Sequence, residues 1–206
     1  MAAGDEPTWD EDAALLRAYV QGDQGAFAQL FDRHYSRVYR LVCRYTGRRP
    51  EAEDLTQTVF LKVMRAAASF EPRARFTTWL YRVTANECLS HIRSGRRGPH
   101  FGALGRGSRN EGGSAEEEMP EPVDAHQEDP AEGVLRTELA EAVRQAVLSL
   151  PERQRLAVVL SRYEGQSYAE IAEVLGVSAV AVKSLLNRAH TALREKLRKY
   201  GEKGET

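Results

Sequence analysis

Four side chains near the C-terminal end carry the clearest chemistry. In "VSAVAVKSLLNRAHTALREKL", Lys183 and Asn187 stand four positions apart, and Ser184 and Arg188 form a parallel row beside them. Residues three or four apart are neighbours on a helix surface, so four hydrogen-bond donors would share one face. Lys and Arg reach guanine edges or phosphates, and Asn pairs with adenine. Ser178 precedes them where it can cap their helix. A second cluster lies in "FTTWLYRVTANECLSHIR", where Phe76, Trp79 and Tyr81 are interleaved with Arg75, Arg82 and Asn86. Aromatic rings that stack on unpaired bases, beside cations that hold phosphates, are what single-stranded DNA binding needs. Phe76 and Trp79 suit a core equally well, whereas Arg82, Asn86, His91 and Arg93 fall on the outer side of that pattern. A third group, Asp54, Gln57, Thr58 and Leu61, shares a face opposite an apolar stripe. Such a mixed face suits docking on another protein, or simply solvent.

No catalytic constellation accompanies these rows. The chain has no Gly-rich phosphate loop, nucleophile elbow or HExxH pattern. Paired acids fall in helix first turns or in a polar segment, where capping and solvation account for them. The five histidines are scattered, and Cys43 and Cys88 lack CxxC spacing, which reads as free or buried thiols in a reducing cytosol. The expectation is a cytoplasmic binding protein, not an enzyme, with no metal and no cofactor. No signal peptide and no apolar run of membrane-spanning length are expected.

The elements that must position these side chains are helices throughout. Ser167 and Glu170 form a Ser-x-x-Glu capping box ahead of "YAEIAEVL". Gly176 ends that helix, since glycine takes the left-handed C′ conformation cheaply. Val182, Leu186, Ala189 and Leu193 then recur at helical spacing. Two helices joined by a tight Gly-containing turn make a helix-turn-helix, whose second helix reads the major groove near its N-terminus. Upstream, "ELAEAVRQAVLSL" and "ERQRLAVVLSRYEG" are helices separated by Pro151. In the N-terminal part, Asp23 caps a long helix with Phe27, Leu30, Phe31, Val38, Leu41 and Val42 on its apolar side and Gly47 as its stop. Pro50 opens the next, which turns Leu55, Val59, Val63 and Ala67 inward; "EPRAR" is a turn before the aromatic helix.

Between these halves the composition breaks sharply. Residues 98–133, "GPHFGALGRGSRNEGGSAEEEMPEPVDAHQEDPAEG", are rich in Gly, Pro and acids and lack periodicity, which predicts a flexible, disordered acidic linker. It separates an N-terminal module, residues 8–97, from a C-terminal one, 134–200. The predicted fold class is therefore all-α, two small helical domains. The chain has a formal net charge of −1, which is unexpected for a DNA reader. The first 97 residues hold 15 Lys and Arg against 12 Asp and Glu, residues 98–133 hold 2 against 9, and the remainder 12 against 9. Both modules are mildly basic and the linker offsets them. An excess of three charges is modest for stand-alone DNA binding, so a partner should supply part of the affinity. An operator-binding regulator with an N-terminal sensing module would use the same helix-turn-helix, but the N-terminal half lacks βα alternation. A helical adaptor would leave the donor rows unexplained.

Taken in order, these stretches resemble a sigma factor of bacterial RNA polymerase, of the sigma-70 family and its two-domain extracytoplasmic-function (ECF) group. "EDLTQTVFLKV" is similar to the part of sigma domain two that grips the polymerase clamp helices. "FTTWLYRVTANECLSHIR" is similar to the part that melts and reads the −10 element. "LPERQRLAVVLSRYEGQSYAEIAEVLGVSAVAVKSLLNRAHTALREKL" is similar to sigma domain four, which reads the −35 element and touches the polymerase flap. The resemblance covers about residues 12–97 and 136–198. It implies core polymerase contacts at Asp54, Gln57, Thr58 and Leu61. It implies −10 contacts at Trp79, Arg82, Asn86, His91 and Arg93, and −35 contacts at Ser178, Lys183, Ser184, Asn187 and Arg188. It further implies promoter DNA and core polymerase as partners, an anti-sigma protein that can be membrane-anchored, and a linker that threads polymerase channels, its acids mimicking nucleic acid. Ser90 and Leu185 depart from the family pattern, which often has Asp and Arg there. A borrowed polymerase surface would explain the weak net charge.

Overall fold

Caps set where the helices start and stop. The computed structural model describes residues 11–70, 75–96 and 130–201. Among these the chain forms α1 (Glu11–Val20), α2 (Gln24–Thr46), α3 (Arg49–Ala66), α4 (Phe76–Arg96), α5 (Pro130–Leu148), α6 (Glu152–Arg162), α7 (Tyr168–Leu175) and α8 (Ala179–Gly201), with a 3-10 turn at Ala67–Ser69 and no strand. The all-α expectation is met. Asp23 Oδ1 accepts from the amides of Gly25 at 2.9 Å and Ala26 at 3.3 Å, filling two of the vacancies a helix start leaves. Gly47 closes α2 in the left-handed region, and its amide donates to the Cys43 carbonyl. Helix α5 begins at Pro130, inside the segment read as linker; proline suits a first helical position because its missing N–H would have no partner there. Residues 98–129 of the expected linker, and most of "EPRAR", lie outside the described residues.

Helix α2 is the central column. Leu30, Val38, Leu41 and Val42 bury against Val59 and Val63 of α3 and Phe76 and Leu80 of α4. Helix α1 is fastened on by a charged cluster. Asp12 accepts from Arg33 Nη1 at 2.8 Å, and its other oxygen lies 2.7 Å from His34 Nε2. In the second half, Leu156 and Leu160 of α6, Ile171 of α7, and Val182, Leu186 and Ala189 of α8 are buried together.

Whether the halves touch could not be read from the sequence. They do. Helix α4 packs on α7, and α2 packs on α5 and α6, so the buried residues form one continuous core. At the seam, Glu164, between α6 and α7, is buried. It accepts a hydrogen bond from the Tyr81 hydroxyl and one from Arg37 Nε, both at 2.8 Å. Arg155 of α6 donates to the Tyr45 carbonyl at 2.8 Å, and its guanidinium lies 5.3 Å from the Tyr45 ring centre. Arg44 lies 4.5 Å over the ring of Tyr163. Leu148 of α5 presses on Gly47 so closely that a Cβ there would stand 2.5 Å from Leu148 Cδ1. The Tyr45 hydroxyl is buried in this seam with no hydrogen-bond partner among the described residues.

Candidate nucleic-acid interface

Helix α8 is aimed by the turn before it. The Ser167 hydroxyl accepts from the Glu170 amide at 3.3 Å, while Glu170 Oε2 accepts from the Ser167 amide at 2.8 Å and from its hydroxyl at 2.7 Å. Those bonds, the backbone one foremost, hold the Glu170 carboxyl below its usual range. Gly176 ends α7 with φ 63°, and the Val177 amide donates to the Ala172 carbonyl. Ser178 caps α8, its hydroxyl accepting from the Ala181 amide at 3.2 Å, so its first role is local. Val182, Leu186 and Ala189 lock one face of α8 into the core. Lys183, Ser184, Asn187 and Arg188 are left exposed on the opposite side, the arrangement the spacing predicted.

The open surface beside them is lined by Asn187, Arg188, Thr191, Ala192 and Glu195. Thr191 and Glu195 therefore extend the row, with the Thr191 hydroxyl donating back to the Asn187 carbonyl at 3.0 Å. One residue was missed. Val180, in the first turn of α8, is 79% exposed, more than any other large apolar side chain among the described residues. It stands three and four positions before Lys183 and Ser184, on their face, and its apolar type hid it in a sequence reading that sought donors.

Helix α4 divides its faces sharply. Phe76, Leu80, Tyr81, Ala85, Cys88 and Leu89 are buried, and burial lifts the Cys88 thiol to about 12. Arg82, Asn86 and Arg93 are exposed, and His91 is half-exposed, its Nε2 3.4 Å from Glu51. Arg93 Nε donates to the Leu89 carbonyl at 3.0 Å. Trp79 is half-buried, packed edge-on against Phe70 at 5.1 Å and near Phe76 at 5.9 Å. Its burial is only partial, and exposed Arg82 follows three positions later on the same helix, so it can serve core and surface at once. Tyr81 is a correction to the stacking pattern. It is 2% exposed, and its hydroxyl is committed to Glu164; burial first and the Glu164 charge second push its ionisation upward.

On α3, Asp54, Gln57 and Leu61 are exposed. Thr58 is half-buried, its hydroxyl donating to the Asp54 carbonyl at 2.9 Å. Leu61 is 51% exposed and Met64 36%, so the apolar part of this face runs one turn further than the sequence suggested. Lys62 pairs with Glu87 of α4, which fixes α3 beside the helix carrying Asn86. Among the described residues no cluster of His, Cys, Asp or Glu is arranged to hold a metal ion, and no helix is long and apolar enough to cross a membrane.

The comparisons with known proteins fall on these same elements. Residues 30–98 match the family model of Sigma-70 region 2, and residues 140–193 match that of Sigma-70, region 4. The ECF RNA polymerase sigma factor SigW of Bacillus subtilis is 32% identical, the alignment covering 89% of this chain and 95% of SigW. SigM of Mycobacterium tuberculosis is 37% identical, covering 88% and 82%. ECF sigma-E of Escherichia coli is 33% identical, covering 90% and 94%. Among solved structures, CnrH in complex with the cytosolic domain of CnrY superposes with TM-score 0.64 at 25% identity, over 92% of this chain and 99% of CnrH. The sigma factor RpoE of Bartonella quintana, in complex with the anti-sigma factor NepR, shares the fold at TM-score 0.58 and 22% identity, over 84% and 96%. With the two family-defining regions in order and full-length relatives above 30% identity, the chain belongs to the ECF sigma factors of the sigma-70 family, alternative sigma factors that direct promoter-specific transcription initiation.

Proposed function

We propose that three exposed faces divide the work of initiation. The observation that carries this reading is the outward row of Lys183, Ser184, Asn187 and Arg188 on a helix held by a glycine turn. Docked in the major groove of the −35 element, Lys183 and Arg188 would reach guanine or phosphate and Asn187 adenine. Val180 adds an apolar contact suited to a thymine methyl group at the end of the helix that enters the groove first. The exposed face of α4, with Arg82, Asn86, His91 and Arg93 beside Trp79, takes the −10 strand. Capturing an extruded base there makes binding energy drive melting. Asp54, Gln57, Thr58 and Leu61 on α3, extended by Met64, bind core RNA polymerase at its clamp helices, and the C-terminal module touches the flap. The two working units are residues 8–97 and 134–200, and the segment between them threads the polymerase.

The polymerase supplies much of the electrostatic affinity, and this chain supplies sequence specificity, which fits two modules of small positive charge. No step requires a cofactor or a catalytic residue of this chain, and the cytoplasm is where polymerase and promoter meet it. An anti-sigma protein is the expected regulator. CnrH is seen bound to the cytosolic domain of CnrY, the form a membrane-anchored inhibitor would present. Run-off transcription from a genomic promoter library, with core polymerase and with or without this protein, tests the reading, alongside a band-shift with the protein alone. Starts that require both components, with weak binding alone, are expected. Tight, polymerase-independent binding without such starts would overturn it in favour of an operator-binding regulator.

A further inference from the structure

The charged cluster that fastens α1 to α2 ends against the aromatic rings of α4. His34 and Asp12 are 7% and 8% exposed, a polar pair set beside apolar core. One Asp12 oxygen is taken by Arg33 Nη1 at 2.8 Å, with Glu11 at the rim 3.4 Å from the same nitrogen. An ionised carboxylate only accepts, so His34 Nε2 donates to the other oxygen, across 2.7 Å. That bond fixes the plane of the imidazole. The ring centre lies 5.3 Å from that of Phe76, the planes tilted by 52°. Phe76 stands 5.9 Å from Trp79, and Phe70 closes on both, at 6.2 Å and 5.1 Å. Helix α1 also packs on the 3-10 turn that precedes Phe70, and on α4.

Stability alone does not account for a histidine here. An apolar side chain at position 34 would fill the space without desolvating a charged pair, and a buried ion-linked pair adds little net stability because desolvation offsets its attraction. What the pair adds is direction. A hydrogen bond has a preferred angle as well as a distance, whereas burial of apolar surface is non-directional. Tilted and edge-on ring contacts have preferred geometries too. Orientation is therefore passed from Asp12 to His34, to Phe76 and on to Trp79. Trp79 is the half-buried ring on the helix that carries Arg82 and Asn86, and a side chain that binds works best when its rotamer is locked by the shell behind it.

We infer that His34, held by Asp12, is a positioning residue for the −10 face: through Phe76 it sets the orientation of Trp79, and with it the efficiency of strand capture. This inference rests on the function proposed above, and its test lets the two fail separately. Trp9→Phe leaves Trp79 as the sole indole of the chain. In that background, His34→Phe keeps a ring beside Phe76 and removes the donor, and Asp12→Asn removes the charge from the other side. His34→Gln, which keeps a donor for Asp12 and removes only the ring, is the variant safest for folding. In the free protein each should shift Trp79 emission to the red and make it easier to quench with acrylamide, with helicity by circular dichroism retained. With core polymerase, each should slow opening of a duplex promoter roughly fivefold or more, the lower end of what one stacked base contributes, read by permanganate footprinting over time. Affinity for core and binding of the −35 duplex should not change, and a promoter whose −10 bases are already unpaired should recover most of the rate. Trp79 emission and quenching that match wild type in the folded variants overturn the inference, whatever the melting temperature does, as does equal slowing on paired and unpaired promoters. If wild-type protein gives no polymerase-dependent starts, the proposed function fails, and the Trp79 spectra of the free protein still decide whether the pair positions that ring.

Discussion

At the scale of residues, each face proposed to read DNA has a member whose removal should leave the fold alone. Lys183 is exposed on the outer side of α8, so Lys183→Ala should weaken −35 duplex binding by about 1–3 kcal/mol if it reads a base edge, measured by competition band-shift with holoenzyme. Relaxed discrimination at one base position would mark base reading; uniform weakening with a shallower salt dependence would mark a phosphate contact. Asn86→Ala should slow open-complex formation roughly tenfold, the loss of one base contact, with affinity for core polymerase unchanged; permanganate footprinting over time reads the first and fluorescence titration the second. These side chains were legible in the sequence because donors recurring at helical spacing, opposite an apolar stripe, have one consistent place in a helical protein. Tyr81 and Val180 were not. A tyrosine among arginines fits a stacked base and a buried hydroxyl equally well, and only its partner 83 positions away, Glu164, distinguishes the two. An exposed valine looks like core until the fold shows that nothing covers it.

At the scale of elements, the turn into α8 is the adjustable part. The capping box closes through Ser167 and Glu170, so Ser167→Ala should destabilise α7 by about 1 kcal/mol, seen in thermal unfolding. The pH dependence follows from the lowered carboxyl of Glu170. A carboxylate whose folded pKa lies below its unfolded value stabilises the fold above that unfolded value, and the contribution disappears as pH falls through the lower, folded one. The Ser167→Ala deficit should therefore be present at neutral pH and shrink in acid; because Glu170 is near the surface, screening keeps it small. The two helix-ending glycines make a controlled pair. Both have positive φ, but at Gly176 a methyl group would meet nothing within 4 Å, whereas at Gly47 it would meet Leu148 at 2.5 Å. Gly176→Ala should show only the left-handed penalty, about 1–2 kcal/mol, and Gly47→Ala should lose more. Adding Leu148→Ala to Gly47→Ala should recover part of the difference, which a double-mutant cycle in urea unfolding would read. Helix limits were predictable wherever such a cap was present. The start of α5 was not, because its first residues lie in a stretch whose composition resembles the linker before it.

At the scale of the whole molecule, one core rather than two implies cooperative behaviour. The free protein should unfold in a single transition, with equal calorimetric and van't Hoff enthalpies, and Glu164→Ala should split or broaden it by uncoupling the modules. Nothing in the sequence announced that coupling. Each helix has its own periodic stripe, but periodicity says which face is apolar and not which helix it meets, and Leu148 and Gly47 are 101 positions apart. The Tyr45 hydroxyl gives the coupling a further edge. A buried oxygen without a partner typically disfavours its state by about 1–3 kcal/mol, so Tyr45→Phe should raise the melting temperature. Laboratory selection for shelf life would find that change readily, a single oxygen atom deleted from a buried position. The resulting protein would resist unfolding better and would also hold its two halves together more firmly, because both effects come from removing the same oxygen.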